Sequence, residues 1–156
     1  MKRSLASAAA VLGLAAGSLL ISTPAQASEA CDDFFNYKAK SGYMYAFNLR
    51  SCTDELGHDD GDEYDWGDSV GEMKGRATNN AESVLNKGKG STYHIVRFYD
   101  YTAYNVPNGY GCLSPNETHA GKYADNLWDN KLSDGGPAAN SISSHNWVSS
   151  CSWWVD

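Results

Sequence analysis

Residues 67–71, Gly-Asp-Ser-Val-Gly, match the G-x-S-x-G pattern of a nucleophile elbow, with Ser69 at the position of the attacking hydroxyl. An elbow needs an apolar strand before it and a helix after it, on a large and mostly parallel sheet. The preceding residues 59–66 are acidic instead, and the chain is too short for that architecture. The pattern therefore predicts a loop that enters a strand near Val70, in a protein that is not an enzyme. A small hydrolase on another scaffold is the alternative, and loss of activity in Ser69→Ala would reveal it.

The acidic segment does not fit the helix–loop–helix calcium template. With Asp60 in the first position, Tyr64 falls fifth and Asp65 replaces the turn glycine. The twelfth position, which needs a bidentate Glu, holds Gly71. A solvated loop is the better interpretation. The four histidines also lack H-E-x-x-H and i, i+4 spacings, so no zinc site is expected.

The N-terminal residues predict export. Residues 1–27 combine a basic start, an apolar stretch at 8–21 and an Ala-Gln-Ala cleavage signal at 25–27, which is the layout of a secretory signal peptide. A single-span anchor is the alternative, and it is disfavoured because the apolar run is short and interrupted by glycines. The mature chain, residues 28–156, is expected to form one secreted, extracellular domain.

Charge narrows the choice of partners. The full chain carries 12 Lys+Arg and 19 Asp+Glu; loss of Lys2 and Arg3 with the leader leaves 10 cations against 19 acids, a net charge of −9. A surface of this sign repels phosphate backbones and anionic lipid. We therefore expect neither nucleic acid nor a membrane as a partner of the mature chain.

The cysteines predict disulfides. The mature chain contains Cys31, Cys52, Cys112 and Cys151, and an even number in an exported chain indicates two bridges with three alternative pairings. None of the four lies two to four residues from another, which disfavours a zinc site. The pairing that puts one bridge in each half is Cys31–Cys52 with Cys112–Cys151, and it is the one we expect.

The distribution of residue types predicts an all-β fold. The mature sequence is rich in Gly, Asn, Ser and Tyr and has no long segment of helical period. Short segments dense in β-branched and aromatic residues, bounded by Gly or Asn, are the expected strands. These are residues 42–47, 83–85, 93–99 and 142–148. Residues 120–132 are expected to carry no more than a helical turn or two.

The chain contains a weak internal repeat. A shift of 60 residues aligns identical residues in the two halves, more often than the roughly three matches expected by chance over residues 48–86. The identical pairs are Asn48/Asn108, Cys52/Cys112, Gly61/Gly121, Asp65/Asp125, Gly75/Gly135, Asn80/Asn140, Ser83/Ser143 and Asn86/Asn146. The repeat predicts two similar β units that share one core and join at residues 87–91.

Two segments of this repeat resemble the N/D-N/D-x-x-S/T-S motif of the βγ-crystallins, which occurs once per Greek key. They are Asn-Asn-Ala-Glu-Ser-Val at 79–84 and Ala-Asn-Ser-Ile-Ser-Ser at 139–144, and residues 96–104 resemble the aromatic corner of that fold. The chain is similar to secreted actinobacterial proteins of the metalloproteinase-inhibitor kind. The resemblance implies a disulfide-stapled sandwich of two Greek keys, at about 40–88 and 92–150.

The resemblance also implies a calcium site. Ser83 and Ser143 would supply hydroxyl ligands, with Asn80 and Asn140 shaping the loops. The alternative is structural, because Asn and Ser side chains cap their own turns. Each copy departs from the motif at one position, Val84 in the first and Ala139 in the second. The structural alternative is therefore favoured, any Ca²⁺ site should be weak, and no cofactor is expected to be required.

The remaining features favour an inhibitor. Residues 105–116 form a polar loop that contains two prolines and Cys112, and a stiffened loop loses little entropy on entering a cleft. The residues expected to contact a peptidase are Val106, Pro107, Tyr110, Leu113, Ser114 and Pro115. Together with the family resemblance, this predicts a secreted, monomeric inhibitor of an extracellular peptidase, a metallopeptidase being favoured. Leu113→Asp is expected to weaken inhibition without unfolding the domain.

Other functions stay open at this point. A calcium-binding crystallin module and a crystallin-like antimicrobial toxin are the alternatives that the resemblance allows. The tryptophans near the C-terminus, Trp147, Trp153 and Trp154, are expected to pack in the core and strands rather than to form a platform for a sugar.

Overall fold

The computed structural model describes residues 29–90, 92–115 and 121–156. The predicted leader with its cleavage signal, residue 91 of the predicted junction and residue 116 of the predicted loop lie outside the described residues. The described residues contain seven strands: β1 Met44–Leu49, β2 Thr53–Asp59, β3 Ser83–Asn86, β4 Ile95–Tyr99, β5 Tyr110–Leu113, β6 Tyr123–Ala124 and β7 Ser144–Val148. The helical elements are α1 Glu29–Asp33, a π-helical turn Phe34–Lys38 and three 3₁₀ turns, Gly75–Ala77, Val106–Asn108 and Leu127–Asp129. None of the described helices has the length and apolarity needed to cross a membrane.

The strands form two antiparallel sheets that exchange segments. One sheet has the order β2-β1-β3-β6 and the other β5-β4-β7. In each half the first two strands form a hairpin and the last strand pairs with the first. Each half also contributes one segment to the sheet of the other half. From the second half, β6 pairs with β3, and from the first half, Glu63 forms a β-bridge with His145 on β7. The predicted all-β sandwich of two Greek keys is confirmed.

The structure pairs the serines of the two halves differently from the 60-residue alignment of the sequence: the counterpart of Ser83 is Ser144, not Ser143. The Ser83 hydroxyl donates to the Leu49 carbonyl (2.7 Å) and accepts from the amide of Cys52 (3.0 Å), which closes the β1–β2 hairpin. Ser144, rather than Ser143, does the same for the β4–β5 hairpin, through the carbonyl of Tyr101 (2.7 Å) and the amide of Tyr104 (3.4 Å). The predicted shift of 60 is therefore corrected to 61 in this segment.

Side-chain alternation along β1 explains why the first sheet is covered on both faces. Met44 and Ala46 point into the main core between the sheets, which also contains Trp66, Phe98 and Leu113. Tyr45 and Phe47 point to the other face, into a second cluster. The N-terminal turns cover that cluster, with the Phe34 ring 4.8 Å from the ring of Phe47. These turns were not predicted from the sequence.

The strand predictions are confirmed in position and differ at their ends. The segments 93–99 and 142–148 contain β4 and β7, and the segments 42–47 and 83–85 overlap β1 and β3, which end at residues 49 and 86. β2 and β5 were not predicted. β2 has the polar sequence Thr-Asp-Glu-Leu-Gly-His-Asp and is largely exposed at its start, so it lacks the apolar signal of a buried strand. Of the segment 120–132, residue 120 lies outside the described residues, and the rest contributes the two-residue β6 and one 3₁₀ turn.

Both expected disulfides are present, Cys31–Cys52 and Cys112–Cys151. The second bridge holds the C-terminal tail beside β5. The tail adds backbone hydrogen bonds from Cys112 N to Trp153 O (2.9 Å) and from Val155 N to Cys112 O (3.0 Å). It thereby covers the edge of the second sheet, which would otherwise present unpaired backbone groups. Trp153 is 41% exposed, so the prediction that it packs in the core is wrong.

Candidate binding surface

The connection between β4 and β5 is an exposed, structured hairpin. Residues 106–108 form a 3₁₀ turn at its tip, and all three are exposed. Pro107 fits the first turn of such a helix because its fixed φ is already helical and its missing N–H has no partner to lose. Val106 places an apolar side chain in solvent, with 44% of its surface exposed.

The backbone behind this tip is fixed by hydrogen bonds on both sides. The Asp100 amide donates to the Gly109 carbonyl (3.2 Å), and the Gly109 amide donates to the Val106 carbonyl (3.3 Å). The Ala103 amide donates to the Tyr64 carbonyl (3.0 Å), and the Tyr104 amide donates to Ser144 Oγ (3.4 Å). The tip is therefore preorganised before any partner arrives.

Gly109 is required where the hairpin returns to β5. Its φ of +102° lies in a region that L side chains rarely adopt, and a Cβ there would lie 2.7 Å from Asp134 Oδ1. Asp134 and the nearby Asp100 give this side of the hairpin an acidic character. Burial, with a smaller contribution from the Asp134 charge, raises the pKa of Asp100.

The structure corrects the predicted contact residues of the inhibitory loop. Only Val106 and Pro107 are exposed as expected. Tyr110 is half-buried at the start of β5, and Pro115 is half-buried beyond its end. The last two predicted contact residues, Leu113 and Ser114, are buried with 0% and 1% exposure. The loop ends earlier than predicted because residues 110–113 pair with β4.

Two aromatic side chains that the sequence analysis did not select lie beside the hairpin. Tyr64 is 58% exposed, and its ring packs edge-on against Tyr104 with centroids 5.5 Å apart. Tyr101 is 54% exposed and belongs to the hairpin itself. Aromatic side chains with an apolar body and a polar tip are typical of binding surfaces. We call this set the hairpin surface: Tyr64, Tyr101, Val106, Pro107 and Asn108.

The predicted calcium ligands are engaged with protein atoms. Ser83 is fully buried, and its hydroxyl both donates and accepts within the first hairpin. Ser143 Oγ accepts from Thr78 Oγ1 (3.0 Å) and donates to Asn79 Oδ1 (3.0 Å). These contacts match the structural alternative.

The two asparagines of the calcium prediction also have local structural roles. Asn80 Nδ2 donates to the carbonyls of Arg76 (2.8 Å) and Thr78 (3.0 Å), and Asn140 takes a φ of +56°, which Asn tolerates. In the corrected register, Glu82 rather than Ser83 is the counterpart of Ser143. Among the described residues, no group of three or more His, Cys, Asp or Glu side chains is placed to hold a metal ion.

Ser69 lies in an irregular surface segment. In the described ranges, no hydrogen bond joins its hydroxyl to a histidine or a carboxylate. The predicted strand near Val70 is absent: residues 69–73 form bends, and Val70 is 69% exposed. The Asp68 carboxylate caps this turn by accepting from the amide of Val70 (2.8 Å), which is the local bonding that keeps Asp-rich segments out of strands.

A buried histidine fixes the acidic segment against the second sheet. His145 is fully buried and accepts a hydrogen bond from Trp66 Nε1 at its Nδ1 atom (2.9 Å). Nδ1 is therefore unprotonated, and Nε2–H donates to the Gly61 carbonyl (3.1 Å). Burial lowers the pKa of His145 from 6.5 to about 4, so the ring is neutral in the folded protein at pH 7.

His145 should make the protein less stable in mild acid. Its pKa in the unfolded chain is higher than in the folded protein, so protons favour unfolding as the pH falls from about 6.5 towards 4. Between pH 7 and pH 5 the wild type should lose about 2 kcal/mol more unfolding free energy than His145→Gln, whose amide can replace both hydrogen bonds. Urea unfolding at the two pH values measures this difference.

The carboxyl groups of Asp59 and Glu63 have the opposite effect on stability in acid, and both are present in the wild type and in His145→Gln. Burial raises the pKa values of Asp59 and Glu63, so their protonation favours the folded state as the pH falls. Comparison with the variant cancels their effect. An equal loss in wild type and His145→Gln would contradict the assignment of the acid sensitivity to this imidazole.

The sequence matches no protein-family profile and no curated protein. Among solved structures, one described as "Evolution of the eye lens beta-gamma-crystallin domain fold" is similar to this chain with a TM-score of 0.49 and 12% sequence identity. The similarity covers 72% of this chain and 91% of that one. The assignment of two Greek keys is made on the strand order and the exchanged segments themselves.

Proposed function

We propose that this protein is a secreted inhibitor that blocks an extracellular peptidase, a metallopeptidase being the favoured target, with the hairpin surface. The observation that carries the proposal is the tip at residues 106–108, where all three residues are exposed on a backbone fixed at both ends. The resemblance of residues 79–84 and 139–144 to the crystallin motif of secreted metalloproteinase inhibitors supports the same function.

The mechanism is occupation of the active-site cleft without turnover. A loop whose conformation is already fixed loses little entropy on binding, so more of the contact energy is available for affinity. Val106 and Pro107 enter the cleft as an apolar pair. The exposed rings of Tyr64 and Tyr101 add contact area at its rim, as anchoring aromatic residues do in other interfaces.

The tip residue gives the direct test. Val106→Asp should raise the inhibition constant by about tenfold or more, because it places a charge where the proposal requires an apolar contact. The matched control is Leu49→Asp, since Leu49 has a similar exposure (47%) at the corresponding hairpin of the other half. Both variants should unfold at the wild-type temperature because neither side chain is buried.

The measurement is inhibition of purified secreted metallopeptidases and serine peptidases by the mature protein, with and without calcium. If no enzyme is inhibited, the proposed function is wrong. If an enzyme is inhibited equally by wild type, Val106→Asp and Leu49→Asp, the function stands but the hairpin surface is not the inhibitory site.

A further inference from the structure

A groove lies near the start of β4, separate from the hairpin surface. Two adjoining hollows of about 320 and 300 Å³ form it, and both are lined by Tyr93 and Trp147. Each volume is at the lower end of the range for small-ligand sites, roughly 300–1,000 Å³. We call this feature the Tyr93 groove. Tyr93 and Trp147 are the residues that the two hollows share.

The aromatic side chains of the groove are positioned by the fold. Tyr93 is 67% exposed. Trp147 packs its inner side against the main core and lies directly over Gly88, where a Cβ would come within 2.6 Å of the indole. The Trp147 amide donates to Asp62 Oδ1 (2.7 Å), which fixes the backbone at this position. The groove therefore has one rigid ring and one accessible ring.

Polar side chains, some of them charged, also line the two hollows. Asp60 and Lys89 line the first hollow, and Asn146 and Arg97 line the second. Asn146 accepts from the Tyr99 hydroxyl at Oδ1 (2.8 Å), and no residue that the structure describes accepts from its Nδ2. Such a mixture of donors and acceptors suits a neutral ligand with many hydroxyls better than a polyanion or a polycation.

Two residues that line the groove, Arg97 and Trp147, contain a buried side-chain nitrogen without a hydrogen-bond partner among the described residues. In the described part of the chain, Trp147 Nε1, Arg97 Nε and His94 Nδ1 are the buried side-chain nitrogens without a hydrogen-bond partner. Buried polar groups are nearly always paired in folded proteins. Two of these three atoms belong to residues that line the groove, and the third lies beside Tyr93 in the sequence.

The edge of the sheet at this site is closed to an added peptide strand. The backbone of β7 pairs with β4 on one side from residue 144 to residue 148. On the other side, the His145 amide donates to the Glu63 carbonyl (2.9 Å) and the Trp147 amide to the Asp62 carboxylate. A peptide would therefore lack the backbone hydrogen bonds that strand addition provides, and recognition must use ring faces and side chains.

We propose that the Tyr93 groove binds a neutral oligosaccharide. The apolar face of one sugar ring lies against Tyr93, and the next ring lies against Trp147. Hydroxyl groups bond to the Asp60 carboxylate, the Lys89 ammonium and the Asn146 amide. Each sugar ring of an oligosaccharide has an apolar face, which can lie against an aromatic ring, and hydroxyl groups at its edge, which can bond to the polar side chains nearby.

This site is independent of the proposed inhibition. Tyr93 precedes β4 and the hairpin tip follows it, so the five residues of the strand place about 16 Å between Tyr93 and the start of the hairpin. A glycan in the groove leaves the hairpin tip accessible. Tyr93→Ala should therefore leave peptidase inhibition unchanged, and a failure of either proposal can be distinguished from a failure of the other.

The test is calorimetric titration of the mature protein with cellohexaose, chitohexaose and maltohexaose, and with tetralysine as a peptide probe. At least one hexasaccharide should bind saturably. Tyr93→Ala should weaken that binding about tenfold or more, and Tyr93→Phe should retain it because the ring face remains. The matched control is Tyr37→Ala, since Tyr37 is 84% exposed and lines neither hollow.

Two outcomes would overturn the proposal. One is that none of the three hexasaccharides binds at millimolar concentration, or that Tyr93→Ala binds as tightly as the wild type. The other is that tetralysine alone binds and loses its affinity in Asp60→Asn, which would assign the groove to a basic peptide. Unchanged thermal unfolding of the exposed-site variants excludes loss of folding as the cause.

Discussion

Leu113→Asp is expected to unfold the protein rather than to reduce only its binding. Leu113 is fully buried in the main core and pairs with Val96 in the second sheet. The substitution removes about 2–3 kcal/mol of apolar burial and places a carboxyl group in an apolar environment that cannot solvate it. Together these costs exceed about 4 kcal/mol, a large part of the 5–15 kcal/mol that stabilises a typical domain.

The expected result can be separated from an effect on function. Near-ultraviolet circular dichroism and urea unfolding should show lost tertiary structure or a greatly lowered midpoint for Leu113→Asp. Leu113→Met conserves volume and should cost less than about 1.5 kcal/mol. Leu49→Asp puts the same charge at an exposed leucine and should change stability by less than about 0.5 kcal/mol. A folded Leu113→Asp protein with near wild-type stability would show that β5 is not part of the core.

Removal of the Cys112–Cys151 bridge should have a comparable effect. The bridge closes a loop with a sequence separation of 39 residues, and the loop entropy that it removes from the unfolded chain corresponds to about 4 kcal/mol. It also fixes the tail that covers the edge of β5. The variant that tests this is Cys112→Ala/Cys151→Ala, because Cys112 is fully buried and Ala adds no polar group there.

The other disulfide provides the matched comparison. Cys31–Cys52 has a sequence separation of 21 residues, so its removal should cost about 3 kcal/mol. Urea unfolding of both double variants and the wild type measures the two losses. A loss below about 1 kcal/mol for Cys112→Ala/Cys151→Ala would mean that the backbone hydrogen bonds of the tail suffice to hold it.

Loss of stability in Leu113→Asp or in Cys112→Ala/Cys151→Ala would also lower inhibition. The hairpin tip is held by β4, β5 and the Ser144 hydroxyl, so any variant that loosens the second sheet should also weaken inhibition. Only exposed substitutions, such as Val106→Asp, report on contact with a peptidase. Substitutions at Leu113 and Ser114, the two buried residues among the predicted contacts, are therefore unsuitable for locating the inhibitory site.

Local sequence determined the features that depend on residue type and spacing. The strands β1, β3 and β4 were predicted because each is rich in β-branched, aromatic or apolar residues, and β7 because its segment contains Ile142, Trp147 and Val148. The all-β class followed from the lack of helical periodicity. The expected pairing of the cysteines within each half was confirmed as well: one bridge joins α1 to the turn before β2, and the other joins β5 to the C-terminal tail.

Only the tertiary structure decided which of these residues are exposed and what they contact. Leu113 looks like a loop residue because Gly and Pro surround it, yet pairing with β4 buries it. Ser83 and Ser143 fit a ligand motif equally well in sequence, but the hairpins use Ser83 and Ser144 as equivalents. The Tyr93 groove joins residues as far apart in the sequence as Tyr43, Asp60, Tyr93 and Trp147. Contacts between distant residues depend on how the two sheets pack and exchange segments, and no local pattern encodes that arrangement.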